Sequence, residues 1–137
     1  MDSGIRDANL VASVAKQHLP DNYLIYSSIG KRAFETALIF ANVLDIAASE
    51  IIILEELYTF DGTTLERIIK AMPNAHDNIM LFGHNEAITD FVNKFGDIYI
   101  DNVPTAGFVT ITFDTDSWNN LSKGHTGKII FPRDLRS

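Results

Sequence analysis

Residues 79 to 86 read Ile79-Met80-Leu81-Phe82-Gly83-His84-Asn85-Glu86, and a strand, a turn and a helix start are compressed into them. Four consecutive apolar residues mark a buried strand. Gly83 ends it and lets the backbone approach a ligand closely. A helix from about Glu86 to Lys94 follows at once. A strand that feeds directly into a helix is half of a parallel β-α-β unit, and in such sheets ligands bind beyond the carboxyl ends of the strands. His84 and Asn85 stand at that position.

Upstream, the same pattern recurs. Asn22 to Ser27 (NYLIYS) is a short apolar and aromatic run that reads as a buried strand. Gly30 then opens a helix from about Lys31 to Leu44, with Ala33, Ala37, Phe40, Ala41 and Leu44 facing inward. Ahead of both, Asp2 and Ser3 offer an N-cap to a helix that carries Ile5, Ala8, Ala12, Ala15 and Leu19 on one stripe, closed by Pro20. Ile51 to Leu54 is expected to be another strand covered on both faces. Asp61-Gly62-Thr63 is a turn and cap for a helix through about Met72, stopped by Pro73.

Downstream of Gly96 the texture changes. Gly107 to Asp114 (GFVTITFD) alternates, Lys128 to Phe131 is a last short strand, and residues 114 to 127 join them as a loop or short helical turn. The pattern predicts an α/β fold with a mostly parallel sheet and an antiparallel edge. No linker or repeat divides it, so residues 1–137 are expected to form one domain.

Polar residues gather at two strand ends. One is Ser27-Ser28-Ile29-Gly30-Lys31-Arg32; the other is Gly83-His84-Asn85. Each opens a helix whose first N–H groups are free to hold an anion. Arg32 offers a guanidinium fork to phosphate oxygens, and His84 can donate a hydrogen bond or move a proton near neutral pH. Taken alone, each also reads as ordinary structure: an arginine in a first helical turn is usually solvated, and a histidine after a strand is often a cap. Their coincidence at two strand ends favours a site. Glu55, after the strand at 51–54, is a weaker candidate for a general acid. His18, His76 and His125 read as structural or surface residues, and Trp118 as packing a loop onto the sheet.

Composition narrows the function classes. The net charge is −7, which disfavours a general nucleic-acid or membrane surface. There is no cysteine, and the four histidines lack ligand spacing, so neither a disulfide nor a metal site is expected. Absence of a long apolar run or a leader pattern leads to the expectation of a cytoplasmic protein.

These residues carry a resemblance. SGIRDA (3–8), SSIGKRAFETA (27–37), LFGHNEAITDFVN (81–93), PTAGFVTITFD (104–114), DSW (116–118) and FPRDL (131–135), in this order and spacing, are similar to segments of the SixA-type branch of the histidine phosphatase (phosphoglycerate mutase-like) superfamily. The resemblance implies a three-layer α/β/α sandwich. It also implies a metal- and cofactor-independent phosphohistidine phosphatase acting through a phosphohistidine intermediate, with Arg32, His84 and Asn85 around the phosphoryl group. The implied substrate is a phosphorylated protein or a small phosphomonoester, and no nucleic acid or membrane partner is implied.

The family's nucleophile lies in an R-H-G or R-H-A motif at the end of its first, central strand, and no such motif occurs in these 137 residues. The expectation is therefore a family domain without its first strand. Glu86, where the family usually has proline, places an additional carboxylate beside His84. A catalytically inactive phosphate-binding or protein-interaction domain is the alternative reading.

Overall fold

A computed structural model describes residues 3–136. Its elements alternate as the sequence predicts. Helix α1 (Ser3–Ala15) precedes strand β1 (Leu24–Ser27), helix α2 (Lys31–Val43) and strand β2 (Ile52–Ile53). Helix α3 (Gly62–Lys70), strand β3 (Ile79–Phe82) and helix α4 (Asn85–Phe95) follow, and the chain closes with β4 (Phe108–Thr112) and β5 (His125–Ile130). The candidate cap residue Asp2 lies outside the described residues. At α3 the expected cap is present: Asp61 accepts a hydrogen bond from the Thr63 N–H at 3.1 Å and from the Thr64 hydroxyl at 2.9 Å.

β1 lies between β2 and β3, parallel to both. Alternate residues of this sheet face opposite helical layers. Ile25, Met80 and Phe82 pack with Val11, Ala37 and Phe40 of α1 and α2. Tyr26, Ile79 and Leu81 pack with Leu65, Ile68 and Ala87 of α3 and α4. Such two-faced burial explains why these strands are apolar without interruption, and it gives the three layers α/β/α.

Two expectations are corrected. The segment at 51–54 is not covered on both faces. Its strand is only two residues long and lies at the sheet edge, with Ile52 and Ile53 36% and 41% exposed. The terminal antiparallel strands pair with each other in a sheet of their own rather than extending the parallel one, and β5 begins three residues earlier than its apolar pattern suggests. Polar His125 and Thr126, followed by Gly127 with no side chain, conceal that start.

Ion pairs tie the periphery together. Asp7, buried on α1, receives two hydrogen bonds from the Arg136 guanidinium, which fastens the first helix to the end of the described chain. That guanidinium also holds the Asp7 carboxyl below the usual aspartate value. Glu66 joins α3 to α4 through Lys94 at 2.6 Å and pairs within α3 with Lys70 at 2.9 Å, and those bonds, Lys94 first, lower its pKa. Asp97 accepts from His125 Nδ1 at 3.0 Å and from the Thr126 N–H at 2.7 Å, which pulls its pKa down to about 2.

Candidate active site

Ser27 and Ser28 are completely buried at the end of β1. The Ser28 hydroxyl accepts the Gly30 N–H at 3.0 Å, and this tight turn delivers the chain into α2 with Arg32 in the first turn. β3 is the direct neighbour of β1, in parallel register, so its own turn lies alongside. There His84 is the N-cap position of α4 and Asn85 its first residue, the Asn85 amide donating to Thr105 Oγ1 at 3.3 Å. Arg32, His84 and Asn85 all line one cavity of about 1080 Å³. Two helix N-termini therefore open toward the same space, where free N–H groups and the helix dipoles favour an anion.

The cavity has an unusual outline. It is lined by every residue of β3 and every residue of β4, but by none of β1 or β5. It is thus a slot beyond the free edge of β3, facing the free edge of β4. The hydrogen-bond phase of β3 supports this. Asn78 and Phe82 give their carbonyls to the Leu24 and Ser28 N–H groups. In a parallel ladder the residues at 78, 80 and 82 then face β1, so the N–H and C=O groups of Ile79 and Leu81 face the slot. Helix α2 bounds the slot on one side through Ala33, Thr36 and Phe40, and α4 on the other through Ile88 and Phe91.

The charges here are unpaired. Arg32 is exposed and makes no side-chain hydrogen bond or ion pair among the described residues. His84 Nε2 is buried without a hydrogen-bond partner. Glu86, in the first turn of α4, also lines the cavity. Glu55 does not: it is exposed in the turn after β2 and is not brought to this wall. His18 lines the far end of the slot, near Tyr23. The other histidines serve structure: the His76 carbonyl accepts from the Trp118 indole, and His125 binds Asp97.

Two residues absent from the sequence reading belong to this region. Tyr58 and Phe60 pack against the His84 ring, with centroids 4.7 and 4.6 Å away. Nothing in the LYTFDG stretch distinguishes them from loop residues. The only signal is two aromatic residues just before a helix cap.

The architecture is shared with solved structures. The protein histidine phosphatase SixA complexed with tungstate superposes with a TM-score of 0.80 at 17% identity, over 99% of this chain and 85% of that one. The fold is that of SixA. A putative phosphohistidine phosphatase SixA from Agrobacterium tumefaciens superposes with a TM-score of 0.68 at 22% identity, over 82% of this chain and 75% of its own. No family model matches the sequence, and no curated protein matches it. Among the described residues no helix is long and apolar enough to cross a membrane, and no group of three His, Asp or Glu side chains is placed to hold a metal ion.

Proposed function

We propose that the chain is the larger part of a SixA-like phosphohistidine phosphatase, with Arg32, His84 and Asn85 as its phosphate-binding wall. The observation that carries the reading is the slot between β3 and β4, with Arg32 and His84 at its carboxyl-end mouth. Its two strand edges and two helical walls suit one more extended segment of about five residues, about 17 Å long. A strand there would pair the groups of Ile79 and Leu81 that face the slot. If parallel to β3, it would present its last residue between the two helix N-termini. A nucleophilic histidine supplied at that point completes the reaction.

The proposed chemistry has two steps. The nucleophile's imidazole nitrogen forms a bond to phosphorus while the bond to the substrate's leaving group breaks, and that group takes up a proton. Water then attacks phosphorus, the N–P bond breaks, and inorganic phosphate leaves with the nucleophile restored. Arg32, His84 and the helix N–H groups stabilise negative charge on the phosphoryl oxygens in both steps. They supply the positive charge a metal would otherwise bring, so the proposed reaction needs none. A phosphorylated protein side chain or a small phosphomonoester fits so exposed a mouth.

The test mixes the chain with a synthetic strand peptide, Val-Val-Ile-Val-Arg-His-Gly, and follows hydrolysis of a phosphohistidine peptide. The expected result is turnover that is lost in Arg32→Ala and in His84→Ala. Turnover unaffected by both substitutions refutes the assignment. Phosphate binding with no turnover under any addition leaves the phosphate-binding domain as the function.

A further inference from the structure

A catalytic imidazole is ordinarily aimed by a hydrogen bond on its second nitrogen. His84 lacks one. No side-chain hydrogen bond reaches it among the described residues, and its buried Nε2 is without a partner. Something else must hold the ring.

Packing surrounds it on two sides. At Gly30 a methyl group would sit 3.0 Å from Cε1 and 3.2 Å from Nε2 of His84, so the backbone of the β1–α2 turn lies directly against the imidazole. From another side come Tyr58, edge-to-face at an interplanar angle of 71°, and Phe60, tilted at 49°. These two rings also meet each other edge-to-face at 6.2 Å. Both are large apolar groups left 54% and 55% exposed, so burying themselves in the core is not their contribution.

Their loop is pinned at both ends. Leu57 is buried in the core, with its N–H bonded to the Leu54 carbonyl at 3.1 Å. The Tyr58 N–H reaches the Glu55 carbonyl at 3.0 Å. At the other end the Asp61 N–H donates to Thr59 Oγ1 at 3.1 Å, while Asp61 itself caps α3. A short segment anchored so closely delivers its two rings at a fixed place.

We propose that Tyr58 and Phe60 are the positioning residues of His84, fixing the imidazole through aromatic contact in place of a hydrogen bond and holding its unpartnered Nε2 against the β1–α2 turn that begins the phosphate wall. The role refines the phosphate-wall reading and rests on it. Each ring pair of this kind contributes about 0.5–1.5 kcal/mol beyond its buried area, about two- to tenfold in affinity.

The experiment uses the chain itself with inorganic phosphate as the probe. Calorimetry gives the phosphate Kd, and NMR follows the His84 ring protons, in Phe60→Leu, Tyr58→Leu and Phe60→Tyr. Both leucine variants are expected to weaken phosphate about two- to tenfold and to move and broaden the His84 ring signals. Phe60→Tyr restores both readouts, which bulk alone in the leucine variants does not. Where Arg32→Ala does weaken phosphate, wild-type phosphate affinity in both leucine variants overturns the proposal. Arg32→Ala separates the two claims. Phosphate affinity unchanged by Arg32→Ala, or phosphate binding absent from the unmodified chain, refutes the phosphate wall, and the His84 signals alone then decide whether the rings hold the imidazole.

Discussion

Two arginines divide the molecule. Arg136 is clamped onto the buried carboxylate of Asp7 through two hydrogen bonds and fastens α1 to the end of the described chain. Arg32 stands at the mouth of the slot, its guanidinium without a partner among the described residues. The same contrast runs through the histidines, since His125 is bound to Asp97 while His84 keeps a buried nitrogen unsatisfied. Charges that hold the fold together are saturated; those at the carboxyl end of the sheet are left open. An unsatisfied buried polar atom costs about 1–3 kcal/mol, so His84 Nε2 calls for a functional account.

The sharpest way to break this contrast is to exchange the two arginines' expected roles. Arg32→Ala should weaken inorganic phosphate about 10- to 100-fold, the worth of a charge-assisted hydrogen bond to an anion, with little change in the unfolding midpoint. Arg136→Ala should lower the midpoint and leave phosphate affinity within about twofold, because distant sites act independently. Calorimetry and thermal unfolding on both variants read the two effects. Equal effects on stability and binding in the two variants would erase the distinction.

Which parts of this were legible in the sequence follows from the kind of force involved. The strand-turn-helix at 79–94 and the Ser27 to Arg32 turn could be read because local patterns fix them: an apolar run, a glycine and a helix start. The exposed edge position of Ile52 and Ile53 could not, because an apolar pair reads the same whether one face or two is covered. The ring cluster on His84 joins residues more than twenty positions apart, and the Asp97–His125 pair spans 28. Such contacts are set by the tertiary path of the chain. The slot itself is a relation between two strand edges and has no local signature at all.

The next test contrasts the two faces of one strand. Amides of Met80 and Phe82 point to β1, while those of Ile79 and Leu81 point into the slot. Hydrogen exchange should be at least about tenfold slower at the first pair, and the strand peptide should slow the second pair. Exchange at equal rates in all four would show that the edge of β3 is already paired.

A smaller effect is expected at Gly30. In Gly30→Ala the new methyl group meets the His84 ring at 3.0 Å, so the ring must shift by a few tenths of an ångström. Phosphate affinity should fall about threefold, within the range of a disturbed aromatic contact. An unchanged Kd would mean that the ring's placement does not matter to binding.

The smallest effect belongs to the saturated region. Asp97 has a folded-state pKa lowered from 3.8 to about 2, so its contribution to stability is fully present above about pH 4 and disappears as the pH falls toward 2. The difference in denaturant midpoint between the chain and Asp97→Asn should therefore shrink over that window. A difference that stays constant down to pH 2 would remove the carboxylate from the account.

The most direct test of the open site is a phosphate titration followed by amide chemical shifts across the whole chain. The account predicts that the largest changes fall on two short segments at once, Gly30 to Ala33 and Gly83 to Glu86, and that in Arg32→Ala both need about 10- to 100-fold more phosphate. Shifts centred elsewhere, or confined to one of the two helix starts, would contradict a phosphate wall shared by Arg32 and His84.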